Sequence, residues 1–223
     1  MVVAIPLIKS TGDNIELRYS LRSLEQHYSI ERLYIIGYCP AWLKKAIVIP
    51  ARHNPAPDAK ERNLFNKIAM VPECEFLYSL DDTFLLPSWD YQRHYKGTLN
   101  ETYMKSTSPG YKRSVENTAN VLGVSHWDYD CHDPQIIYRH RLIVNFNVLP
   151  INVNSLAFGY LVKTVHSQGL PAVFSKDVKI RNPQKSYDNV TELPYFSSSE
   201  RAARDKRFIE FIKFLYPKKS SYE

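Results

Sequence analysis

Cysteine is scarce in this chain of 223 residues: Cys39, Cys74 and Cys131 are odd in number and far apart. That usage argues against a disulfide framework or a structural zinc site, which need paired or clustered thiols, and points to a reducing, cytoplasmic compartment. Long apolar runs are absent as well. No stretch approaches the roughly 20 apolar residues that a membrane helix requires. The opening run, Met1 to Ile8, has no basic region before it and no small-residue cleavage site after it, so it reads as a first strand rather than a leader. Internal repeats and low-complexity linkers are also missing. What remains is a chain with 44% hydrophobic residues, enough for a substantial core in one domain.

The formal net charge of +6 favours an anionic ligand without identifying it, and keeps a nucleic-acid partner among the alternatives. Basic residues concentrate at Arg139-His140-Arg141 and from Arg201 to Lys219.

Alternation of strand and helix patterns dominates the first 90 residues. Residues 2 to 8 form a β-branched apolar run suited to a strand covered on both faces. From Asn14 to Tyr28, Ile15, Leu17, Leu21 and Leu24 recur at helical spacing, with Asp13 or Asn14 as the expected cap. Strands are expected over residues 33–38 and 46–49, a proline-rich loop from Pro50 to Pro57, and a helix from Asp58 to Met70. This order predicts an α/β fold with a mixed, largely parallel sheet flanked by helices. Beyond residue 90 the alternation fades into an elaborated second half. Helices are expected over residues 100–122, on either side of Pro109-Gly110, over 155–166 and over 200–216, with a last strand within residues 172–180. Phe208, Ile209, Ile212, Phe214 and Leu215 are the expected core contacts of the final helix.

Two adjacent acids, Asp81 and Asp82, close the apolar run Glu75 to Leu80. Ionised carboxylates at the end of a buried strand need a cation or donors to offset desolvation. A solvated turn after an edge strand would explain them; so would a divalent metal, Mn²⁺ or Mg²⁺, that shares its shell with a substrate phosphate. Ligands of parallel sheets bind beyond the carboxyl ends of the strands, where this pair and the polar loop after the first strand both fall. Asn63 and Lys67, one helical turn apart, could reach the same phosphate or simply face solvent. His132 is the candidate for acid–base chemistry, with Asp130 or Asp133 to orient it, although it could instead be a third metal ligand. Tyr95, Trp89 and Trp127 could stack on a sugar or base, or belong to the core.

The block Asn14-Ile15-Glu16-Leu17-Arg18-Tyr19-Ser20-Leu21-Arg22-Ser23 resembles the most recognisable block of the Stealth family of sugar-phosphate transferases, departing from it at Ile15. Pro40-Ala41-Trp42-Leu43, Tyr78 to Phe84 around the acid pair, and Cys131-His132-Asp133-Pro134 resemble later blocks of that family. The opening, Ile5 to Gly12, replaces the family's Thr-Trp-Val-Asp-Gly. Together with Tyr216-Pro217-Lys218-Lys219-Ser220, it is more similar to compact glycosyltransferase-like proteins of phages and bacteria. The resemblance implies a glycosyltransferase A-type fold in which Asp81 and Asp82 bind the metal of a UDP-linked sugar, while Ser10, Asn14 and Arg18 line the nucleotide side. It also implies a nucleotide-binding half (residues 1–90) and an acceptor half (91–223). The expected activity is metal-dependent transfer of a sugar to a hydroxyl acceptor, a glycan or a modified DNA base. Sugar-1-phosphate transfer to a polysaccharide and plain nucleic-acid binding stand as alternatives.

Overall fold

The computed structural model describes residues 1–10, 13–52, 54, 60–147, 161–182 and 187–223. Its centre is a five-stranded sheet. β1 (Val2–Leu7) lies between β2 (Arg32–Gly37) and β4 (Glu75–Tyr78), parallel to both, with Val3 opposite Leu33 on one side and Leu77 on the other. β3 (Ile47–Ile49) extends the parallel edge beside β2. On the far side β7 (Gln135–Tyr138) runs antiparallel to β4, giving the order β3-β2-β1-β4-β7. The sheet is therefore mixed and largely parallel, as the alternation of patterns predicted.

Residues on β1 and β2 are apolar in both directions because both faces are covered. Toward one face, Val3, Ile5, Leu7, Leu33, Ile35 and Leu77 pack with Leu17, Leu21 and Leu24 of α1 (Ile15–His27). Toward the other, Ala4, Tyr34, Ile36, Phe76 and Tyr78 meet Ile68 of α2 (Lys60–Ala69). That second layer is completed by Leu142 of α5 (Arg139–Asn147) and by Val162 and Val165 of α6 (Val162–Ser167). Between β7 and the earlier strands the chain forms α3 (Leu99–Lys105), opened by a reciprocal Thr98–Glu101 capping box, and α4 (Pro109–Leu122).

Several expectations are corrected. The strand before the acid pair ends at Tyr78, and Thr83-Phe84-Leu85 departs as β5 (Thr83–Leu85) into a separate sheet. There it pairs antiparallel with β10 (Tyr195–Ser198), which is parallel to β9 (Lys179–Ile180). The single strand expected within residues 172–180 is two short ones, β8 (Val173–Phe174) and β9, and β8 pairs with β6 (His94–Tyr95) in a third sheet. Strands β7 and β10 and helix α5 occupy segments that the sequence pattern left irregular. The final helix is two, α7 (Glu200–Ala203) and α8 (Lys206–Leu215), because the Asp205 side chain accepts from the Arg207 and Phe208 amides and starts a new helix. Phe208 and Ile212 are buried against Phe84, Phe196 and Tyr216, while Phe214, expected inside, is 81% exposed. Half of the proline-rich loop (residues 53 and 55–57) and residues 155–160 of the helix expected over 155–166 lie outside the described residues.

Candidate active site

In the order β3-β2-β1-β4 the chain winds one way from β1 to β2 and β3, then returns to the other side of β1 at β4. Such a switch point leaves a crevice beyond the carboxyl ends of the two central strands. The chain leaves β1 through Asp13 and Asn14, both left-handed at φ 61° and 52°, a conformation that Asp and Asn tolerate better than most residues. Asn14 occupies the N-cap of α1 without a side-chain capping bond, unlike the expectation. Instead its Nδ2 donates to the Ile8 carbonyl at 3.1 Å, and its Oδ1 is buried with no partner. Glu16 follows in the first turn of α1, and β4 delivers Asp81 and Asp82 to the same crevice.

These three carboxylates crowd one another. Burial, then Asp82 and Glu16, push the Asp81 carboxyl well above the usual carboxylate range. Glu16 is buried and raised to about 7 by desolvation and by Asp82, although a 2.5 Å hydrogen bond donated by Ser198 Oγ opposes the rise. Lys179 Nζ sits 2.8 Å from Asp82 Oδ2, while burial lowers the pKa of Lys67 and the nearby Asp81 only partly offsets that. Asp82 Oδ1 is buried without a hydrogen-bond partner. Protons and lysines thus carry the positive charge that the acids require.

The second half of the chain closes the crevice. The Ser198 amide donates to the Asp82 carbonyl at 3.1 Å, and Thr83 Oγ1 donates to the His132 carbonyl at 2.6 Å, so the His132 loop is fastened beside the acids. His132 Nδ1 lies 2.9 Å from Asp177 Oδ2, and its amide donates to Asp177 Oδ1 at 2.9 Å. This network assigns the proton to Nδ1 and leaves Nε2 as an acceptor, 3.5 Å from Lys179 Nζ. Burial alone would raise the Asp177 carboxyl, but His132 and then Lys96 hold it well below the usual range. Lys96 in turn lies 3.7 Å from Asp128, 3.9 Å from Asp177 and 4.0 Å from Asp130, and donates to Tyr111 Oη at 2.9 Å. Lys96, Asp177, His132, Lys179 and Asp82 form one chain of contacts in which each carboxylate has a lysine beside it.

The structure therefore brings together Asp81, Asp82 and His132, the last through Lys179, while Asn14 sits at the N-cap of α1, two residues before Glu16. The carboxylate that orients His132 is Asp177, in place of Asp130 or Asp133: Asp130 is near Lys96, while Asp133 holds His94 at 3.2 Å and Lys163 at 3.5 Å. Arg18 lies over the Trp42 ring at 4.4 Å and within 4 Å of Asp13 and Glu223, at the outer side of α1. Ser10, half-buried, ends the described part of the β1–α1 loop. The Asn63 amide both donates to and accepts from the backbone of Asn54, at 2.7 and 2.9 Å. Lys67 is buried and donates to the Leu7 carbonyl at 3.2 Å. Gly37 permits that reach: at φ 114°, a Cβ there would stand 2.4 Å from Leu7 O and 3.2 Å from Lys67 Nζ.

Glu16, Ser198, Asp177, Lys179 and Lys96 escaped the sequence reading. Only Glu16 carried a signal, as the acid inside the polar block after β1. A divalent cation fits the acid end in one respect. Among the described residues no group of three or more His, Cys, Asp and Glu side chains is arranged to hold a metal; two adjacent carboxylates are the kind of partial donor set that a hard cation completes with water and phosphate. The unpartnered Asp82 Oδ1 is the atom available for it.

No protein-family model and no curated protein matches this chain. Among solved structures, it is similar to the galactosyltransferase LgtC in complex with donor and acceptor sugar analogues, at 12% identity over 96% of each chain and a TM-score of 0.45. An active-site mutant of LgtC matches at 10% identity, with the same coverage of each chain and the same score. No residue role is carried across at that similarity.

Proposed function

We propose that this chain is a metal-dependent glycosyltransferase that moves a sugar from a nucleotide-diphosphate donor, UDP-linked, to the hydroxyl of an acceptor glycan. The observation that carries the reading is the pairing of two unlike groups in the crevice: an acid pair with an unpartnered buried oxygen, and an imidazole held at Nδ1 by Asp177 with its Nε2 on the side of Lys179 and Asp82. The first suits a cation-bound diphosphate and the second a hydroxyl to be deprotonated.

In this reaction the bond from the anomeric carbon to the diphosphate oxygen breaks, its electron pair leaving with the diphosphate. A bond from the same carbon to the acceptor oxygen forms, and the hydroxyl proton passes to His132 Nε2. Asp177 stabilises the imidazolium so produced. Asp81 and Asp82 would hold the cation, which supplies charge neutralisation on the leaving group. Lys179, between Asp82 and His132, offers a second positive charge to the same oxygens. The many carboxylates around the crevice disfavour a polyanionic acceptor, so the glycan is preferred over DNA.

Titration of Mn²⁺ with UDP into the wild type and Asp82→Asn tests the donor side. The variant is expected to lose at least about tenfold in affinity, corresponding to roughly 1.4 kcal/mol. Equal binding by both proteins removes the metal–diphosphate assignment. Product analysis then separates the two transfer chemistries, because sugar transfer releases the nucleoside diphosphate and sugar-phosphate transfer the monophosphate.

A further inference from the structure

Residues 128–134 belong to no helix or strand, yet five consecutive carbonyls among them accept hydrogen bonds from side chains. Gln135 Nε2 donates to the Tyr129 carbonyl at 2.9 Å, Lys96 Nζ to that of Asp130, and Lys163 Nζ to that of Cys131. Thr83 Oγ1 takes the His132 carbonyl at 2.6 Å, and Lys163 Nζ returns to the Asp133 carbonyl at 2.8 Å. An irregular segment at a protein surface ordinarily leaves such groups to water, which exchanges and lets the chain shift. Here the donors stand at the start of β5, just past β6, at the start of β7 and on α6. The segment that carries His132 is therefore held from four elements at once.

Lys163 is the inner support of this arrangement. It is 1% exposed, and its three N–H groups meet three acceptors: the carbonyls of Cys131 and Asp133, and Asp133 Oδ1 at 3.5 Å. No donor is left over for a ligand, so the lysine acts on the loop alone. An ammonium taken out of water costs stability that an apolar side chain, such as those of Val162 and Val165 on the same helix, does not. What it supplies is geometry, because it grips the chain one residue before and one residue after His132. Thr83 fixes the carbonyl of His132 itself, and Asp177 fixes its amide. With the backbone held on both sides, the ring keeps Nδ1 on Asp177 and Nε2 on the side of Lys179.

We propose that Lys163 and Thr83 are positioning residues for proton transfer at His132, holding the backbone around it so that the imidazole is set before the acceptor hydroxyl arrives. The assignment rests on the reading of His132 as the base of a glycosyl transfer. A base held in advance spends nothing on reorganisation during the reaction, and a displacement of about 1 Å can cost about a hundredfold in rate. Neither residue touches the substrate; both act through the ring they place.

The test compares Lys163→Met and Thr83→Val, which keep the bulk of their side chains and lose the donors, with Leu24→Ala. Leu24 is a fully buried core residue about 12 Å along α1 from Glu16, so its truncation weakens the fold away from His132. Long-range ¹H–¹⁵N spectra of histidine-labelled protein report which ring nitrogen carries the proton, the His132 signals being assigned by their loss in His132→Asn. At pH 8, above the ordinary histidine pKa of about 6.5, the wild type is expected to show Nδ1–H alone. Both donor-less variants should shift these signals or split them between two tautomers, and Leu24→Ala should leave them in place. In transfer assays the same two variants should lose about tenfold or more in kcat with the donor KM within about twofold, whereas Leu24→Ala loses neither. If Lys163→Met does not fold, Thr83→Val decides by itself. Positioning is overturned if the His132 signals of the folded donor-less variants match the wild type, or if Leu24→Ala alters them equally. If the wild type turns over no nucleotide sugar, the glycosyltransferase reading falls, and the ring signals still decide whether the loop is held as described.

Discussion

His166 illustrates what burial does to a single group in this protein. The imidazole is fully buried, and its Nε2 accepts the Tyr138 amide at 3.0 Å. Desolvation, with Arg93 and Arg141 nearby, lowers its pKa to about 3. Between that value and the ordinary 6.5 the unfolded chain takes up a proton that the folded chain refuses. The associated stability is therefore fully present above pH 6.5 and lost as pH falls toward 3, by about 1.4 kcal/mol for each unit of pH. Urea midpoints measured from pH 7 to 4 should fall less steeply in His166→Asn than in the wild type; parallel curves would show that another group controls the acid limb. None of this is legible in the sequence, where His166 is one of seven histidines. His132 could be singled out because polar residues surround it locally, but its partner Asp177 is 45 residues away and no spacing rule connects them. For Asn63 and Lys67 helical spacing correctly gives one side of α2, but it does not show that their side chains bond the backbone of Asn54 and Leu7.

Among the elements, α8 separates what periodicity can and cannot determine. Phe208 and Ile212, four residues apart, define its buried face, whereas Phe214 falls some 240° around the helix from Phe208 and meets water. Phe208→Ala should cost about 3–5 kcal/mol, as for a large side chain removed from a packed core. Phe214→Ser should remain within about 0.5 kcal/mol of the wild type. Chemical denaturation of the two variants checks this, and a reversed order would mean that α8 packs on its other face. Strands β1 and β2 and helices α1 and α2 were readable because each has a long run or several turns of one period. By contrast β7 and β10 have four residues apiece, too few to establish a period, and β7 passes straight into the basic start of α5 with no turn residues between.

Across the whole molecule, the last eight residues tie the second half to the first helix. Glu223 receives Arg22 Nε and Nη2 at 2.6 and 2.8 Å, while Arg22 Nη1 donates to the Tyr216 carbonyl and Tyr222 accepts the Lys44 amide. Burial would raise the Glu223 carboxyl, but the hydrogen bonds from Arg22 and the Ser220 amide outweigh it and hold it below the usual range. Its contribution is thus present above the unfolded carboxylate pKa of about 4.3 and disappears as pH falls through the folded value. Glu223→Gln should lose about 1–3 kcal/mol at pH 7 and much less at pH 3. An equal deficit at both values would refute the ionic clamp.

The lysine on Asp82 has a consequence for how the molecule comes together. Lys179 reaches Asp82 across 97 residues of sequence, from a sheet that does not exist until β5, β9 and β10 have met. Until then Glu16, Asp81 and Asp82 lack this counterion, and the pole of the parallel sheet is left with mutually repelling acids. Docking of the second sheet is therefore also a neutralisation step. The acids that line the crevice are the ones whose electrostatic frustration is relieved by a long-range contact, from the sheet of β5, β9 and β10.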